Sequence, residues 1–133
     1  MLKDFSLELA QLQEVLSSEE SDYYIPEGGK SSILEGLYMV VQVKTAFAGQ
    51  GNTKLTVALQ SDSVATFNSA ALTTVVATAA IDEADLTANT IVAVVPVTGK
   101  LLEFIRAYFT VTAGPMTAGT VNVFLTRLPE LRA

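Results

Sequence analysis

Between residues 104 and 126 the chain alternates with a period of two, and that alternation restricts the fold more than any other feature. Ile105, Ala107, Phe109 and Val111 fall on one side, with Phe104, Arg106, Tyr108, Thr110 and Thr112 on the other. After a loop at residues 113–119, Val121, Val123 and Leu125 alternate with Asn122, Phe124 and Thr126. A two-residue period marks a strand with one face on a core. Residues 103–128 therefore read as a β-hairpin, its loop making two consecutive turns where Thr-Ala-Gly recurs on either side of Pro115. The second face is not plainly polar, since it carries Phe104, Tyr108 and Phe124. An inner strand of a two-sheet sandwich, or a strand covered by another subunit, has that character.

The same period recurs upstream. Leu37, Met39, Val41 and Val43 alternate with Tyr38, Val40, Gln42 and Lys44, which predicts a strand over residues 37–47. Gly49-Gln50-Gly51-Asn52 then predicts a turn into an antiparallel partner at residues 54–61, with Leu55, Val57 and Leu59 facing in. Residues 62–71 read as a polar loop anchored by Phe67, residues 72–81 as a strand and residues 82–86 as one helical turn. A further strand spans residues 91–97, and Pro96 and Gly99 end it. Asn89 and Gly119 each precede a strand and tolerate left-handed backbone, so both are expected to enter it through the same turn. Seven or eight short strands with frequent Gly, Asn and Pro argue for an all-β sandwich.

The first 21 residues fit two patterns. Leu2, Phe5, Leu9, Leu12 and Leu16 are spaced as one face of an amphipathic helix, while Leu7, Leu9, Gln11, Gln13 and Val15 fit extended chain. Residues 17–22 read as a turn, and Tyr23-Tyr24-Ile25 as a short strand stopped by Pro26. Residues 1–35 are thus an acidic N-terminal arm with the first short strand or strands, and residues 36–133 the sandwich, in one domain.

Charge is placed unevenly. Residues 1–35 hold eight acids against Lys3 and Lys30, whereas residues 36–133 hold six of each sign, so the net charge of −6 sits in the first quarter of the chain. The plainer reading is a solvated acidic face; the sharper one is an arm that docks on a basic surface. Acidity argues against nucleic acid as a partner. No apolar run reaches the ~18 residues of a membrane span. No basic segment followed by an apolar core opens the chain, so synthesis in the cytoplasm is expected. Charged residues make up 17% and apolar residues 50%, a balance that hints at an oligomer or a docking surface.

Chemistry is sparse. The chain has neither cysteine nor histidine, which removes thiolate nucleophiles, imidazole bases and the usual zinc ligands. Gly29-Lys30-Ser31 resembles the end of a phosphate-binding loop, but Tyr24 stands where the loop needs its first glycine. Neither Glu19, Glu20 and Asp22 nor Asp82, Glu83 and Asp85 has calcium-loop spacing. No enzyme activity, cofactor or metal is expected. Arg106, between Phe104 and Tyr108, is either an ordinary strand cation stacked on aromatics or an interface anchor.

Residues 54–61 (Lys-Leu-Thr-Val-Ala-Leu-Gln-Ser), residues 84–90 (Ala-Asp-Leu-Thr-Ala-Asn-Thr) and residues 104–111 (Phe-Ile-Arg-Ala-Tyr-Phe-Thr-Val) resemble the jelly-roll capsid decoration, or cement, proteins of tailed bacteriophages. Gly-Pro-Met-Thr-Ala-Gly-Thr-Val at residues 114–121, followed by Phe124-Leu125, is the most specific part. Asn89 stands where the pattern has glycine, and the N-terminal arm is longer and more acidic than the pattern. The resemblance implies a jelly-roll β-sandwich of about eight antiparallel strands. It further implies a homotrimer on the outer capsid surface, where it would clamp neighbouring copies of the major capsid protein. On it, Phe104, Arg106, Tyr108 and Phe124 would form the subunit interface. Phe5, Leu9, Leu12, Glu19, Glu20, Tyr23 and Tyr24 would face the capsid. A carbohydrate- or receptor-binding jelly roll of a phage tail is the alternative, with Tyr23-Tyr24 as its aromatic platform.

Overall fold

The computed structural model describes residues 8–26, 37–98 and 101–127. Nine strands are found there: β1 (Glu8–Glu14), β2 (Glu19–Ile25), β3 (Leu37–Ala48), β4 (Lys54–Asp62), β5 (Thr73–Ala77), β6 (Ile81–Asp82), β7 (Thr90–Pro96), β8 (Phe104–Thr112) and β9 (Ala118–Arg127). A single 3-10 turn, Glu83–Asp85, falls in the segment where the sequence predicts one helical turn. The strands form two antiparallel sheets, ordered β1-β9-β3-β7 and β2-β8-β4-β5, with β6 on β4.

That order identifies the architecture. With the short β6 set aside, the first strand pairs with the last, the second with the seventh, the third with the sixth and the fourth with the fifth. Contacts β3·β9 and β4·β8 then complete each sheet. A long ribbon wound in this way is a jelly roll. The core lies between the sheets, where the alternating set of each strand meets the other: Met39, Val41 and Val43 with Leu55, Val57, Leu59, Ile105, Phe109, Val123 and Leu125.

Two pairings differ from those expected. Residues 103–128 do not form a hairpin, because β8 lies in the second sheet and β9 in the first. Likewise β4 is not the neighbour of β3; it pairs with β8 and β5, while β3 pairs with β7 and β9. Alternation reports that one face of a strand is buried, and a strand across the core satisfies it as well as one beside it. Hairpin strands sit about 4.8 Å apart and facing sheets about 10 Å apart, and the glycine-bearing linkers 49–53 and 113–117 bridge the longer gap.

These two linkers and residues 15–18 meet at one end of the sandwich. Thr53 Oγ1 donates to the Ala113 carbonyl (3.1 Å), Thr117 N–H to Ala48 (2.7 Å) and Met116 N–H to Leu16 (2.8 Å). The Glu83 carboxylate accepts from the backbone N–H of Gly49, Gly51 and Thr53. Glu83 is thus a latch on the β3–β4 crossing. Glu83→Ala leaves three amides without their anion and is expected to cost about 2 kcal/mol. Urea denaturation measures it; a loss below about 0.5 kcal/mol, ordinary for a surface change, would contradict the latch.

Asn89 (φ 59°) and Gly119 (φ 141°) both take a positive φ, but at widely different values, and Gly119 lies inside β9 rather than before it. The two strand entries are therefore different turns. At the N-terminal side, β1 and β2 are edge strands, one in each sheet. Residues 8–14 are extended rather than helical, with register shifts in their pairing to β9.

Candidate functional site

The outward set of β8 carries the most distinctive surface among the described residues. Arg106 faces Gln60 across the β4–β8 ladder and Tyr24 across the β2–β8 ladder. Its Nε donates to Gln60 Oε1 (2.9 Å). The guanidinium carbon lies 4.5 Å from the Phe67 ring centroid and 5.5 Å from that of Tyr108, within cation–π reach of both. Tyr24 meets Phe67 and Phe104 edge-on, each at 6.0 Å between centroids. Three elements and a loop thus build one aromatic patch around one arginine.

Phe67, the anchor expected of the polar loop, has this patch as its target. It comes from the loop between β4 and β5, adopts φ 54° and is buried. Asp62, at the end of β4, pegs that loop. Its carboxylate accepts from Ser63 N–H (2.6 Å), from Ser69 N–H (3.0 Å) and from the Ser69 hydroxyl. An aspartate ending a strand and followed by serines is the available signal for such a peg.

Burial pushes the Asp62 carboxyl up, but the hydrogen bonds from Ser69, Ser63 and Val64 outweigh it and hold the group below its ordinary value. A lowered folded-state pKa contributes stability above the unfolded value of about 3.9 and loses it as pH falls through the folded value. Comparison of wild type with Asp62→Asn should therefore show a stability gap at neutral pH that narrows below about pH 4. Thermal melts from pH 6 to pH 2 check this. A gap that is constant with pH would contradict it.

A second exposed surface runs along β1 and β2. Leu12 sits at φ 49° with its side chain 59% exposed, and its N–H donates to Asn122 Oδ1 (2.7 Å). A bulge in an edge strand re-aims a side chain, and here it turns an apolar one into solvent. Gln13, nearly buried, ties the two edges together: Nε2 donates to Glu19 Oε2 (3.1 Å) and the Glu20 carbonyl (3.0 Å), and Oε1 accepts from Asp22 N–H (2.8 Å). Tyr23 (52% exposed) and Tyr24 (47%) stand beside the exposed Glu20 and Asp22.

The residues singled out from sequence thus divide. Phe104, Arg106, Tyr108 and Tyr24 come together, and Leu12, Glu20 and Tyr23 lie along the adjoining edge, with Glu19 half-buried behind them. Leu9 is fully buried in the core, so it cannot be a contact surface. Phe124 is buried on the far face of the first sheet, opposite Val40, and does not share the patch. Phe5 lies outside the described residues. Among the described residues no group of His, Cys, Asp or Glu is placed to hold a metal ion.

A family model described as Bbp16 matches residues 18–125. No curated protein matches the chain.

Proposed function

The chain belongs to the Bbp16 family over a stretch reaching from β2 into β9, and we propose that it is a structural virion protein that cements a tailed-phage capsid. In this role it assembles as a homotrimer on the outer surface of the shell, across neighbouring copies of the major capsid protein. The observation that carries it is the Arg106-centred aromatic patch beside an edge of half-exposed Tyr23, Tyr24 and Leu12. Aromatic residues and arginine dominate binding hot spots, and here all of them but the loop residue Phe67 sit on strands of one sheet. The resemblance of residues 54–61, 84–90, 104–111 and 114–121 to cement proteins points the same way.

The mechanism is additive. Each trimer offers the shell several modest contacts at once, so release requires all of them to open together. The patch on β8 packs between subunits, and the exposed Leu12 and Tyr23 of the β1–β2 edge approach the capsid.

Light scattering on the purified protein tests the assembly. A mass three times that of the 14.1 kDa chain is expected. A stable monomer would remove the trimer on which the mechanism depends. The half-exposed tyrosines also favour a carbohydrate-binding reading, because sugars stack on such rings. A monomer that binds a glycan array would select that second function.

A further inference from the structure

Among the described residues, the aromatic patch and the edge that borders it each lack a charge partner. Arg106 spends its Nε on Gln60, and among the described residues no carboxylate lies within ion-pair distance of it. On the neighbouring edge Glu14, Glu20 and Asp22 are exposed, and none is paired with a cation among the described residues. We infer that the Arg106 fork receives a carboxylate from a second copy of this chain, supplied by that copy's β1–β2 edge. The inference rests on the self-association proposed above and gives it a chemistry.

Three features favour this occupant. Arginine binds carboxylates through two parallel N–H···O bonds, and a guanidinium already stacked on Phe67 and Tyr108 loses little freedom when it does so. A basic partner would satisfy the edge and leave Arg106 unmatched, whereas an acidic partner would do the reverse. A copy of this chain carries both complements, next to each other, so one contact discharges both.

Sedimentation equilibrium on wild type and four variants tests it. Arg106→Gln is expected to weaken self-association at least about thirty-fold. Arg106→Lys should recover little of that, because an ammonium lacks the fork. The triple change Glu14→Gln, Glu20→Gln, Asp22→Asn should weaken association too, and adding Arg106→Gln to it should bring no further loss. Raising ionic strength should weaken wild type more than Arg106→Gln. All these side chains point outward, and matching thermal melts verify that each variant is folded. A wild type that is monomeric throughout overturns self-association and this pairing together. An assembly indifferent to Arg106→Gln, or losses that simply add, overturns the pairing alone.

Discussion

Gly119→Ala is expected to destabilise the fold by about 3 kcal/mol, among the largest effects of any single methyl in this chain. Two penalties coincide at that position. Gly119 sits at φ 141°, which residues with a Cβ rarely adopt. A Cβ built there would lie 2.4 Å from ring carbons of Phe47, far inside contact distance. Phe47 cannot swing away, because it is buried in the core cluster between the sheets. The same glycine accepts a hydrogen bond from Val15 N–H (3.2 Å), so a shift of its backbone would also disturb the end of β1. Urea denaturation should show a lower midpoint at unchanged slope. A variant within about 0.5 kcal/mol of wild type would mean that the β3–β9 approach is looser than described.

Phe109→Ala should cost about 4 kcal/mol, the range for emptying a well-packed phenylalanine site. Phe109 is fully buried and pairs with Val57 in the middle of the second sheet, where it fills the space against the first. Its neighbour in sequence provides the contrast. Tyr108 points to the opposite side of the same strand, into the partly exposed patch. Tyr108→Ser should therefore change monomer stability by no more than about 1 kcal/mol. Thermal melts of the two variants side by side check the inward and outward assignment of β8. Equal losses would contradict it.

The contrast also shows what the sequence could and could not convey. Strand positions and inward faces were legible where alternation is clean, because the pleat itself imposes a period of two: residues 37–47, 54–61 and 91–97 lie within a residue or two of β3, β4 and β7. By contrast, residues 19–22, polar enough to read as a turn, are the first half of β2, and residues 72–81 are not one strand but β5 and the start of β6. Sheet membership was not legible. The chain moves to the other sheet after nearly every strand, and a five-residue linker containing glycine looks the same whether it closes a hairpin or crosses a core. That error placed Phe124 with Tyr108, although the two lie on opposite sheets. The helical spacing of Leu9 and Leu12 was a coincidence of a bulged strand. With the pairing to β9 shifted between Glu8 and Gln13, Leu9 points into the core and Leu12 out of it. The arginine patch was half legible. Phe104, Arg106 and Tyr108 share a strand face in the sequence. Tyr24 and Phe67 reach them only through the β2–β8 ladder and through the Asp62 peg, both of which join distant parts of the chain.

If this chain reinforces a phage shell, as proposed, shell stability measures that role most directly. Expanded shells assembled from the major capsid protein of the same phage would be incubated with the purified protein, pelleted and heated. The protein should co-sediment to saturation and raise the temperature at which the shells break. Shells that pellet without it, or that bind it and break at the same temperature, would contradict the claim.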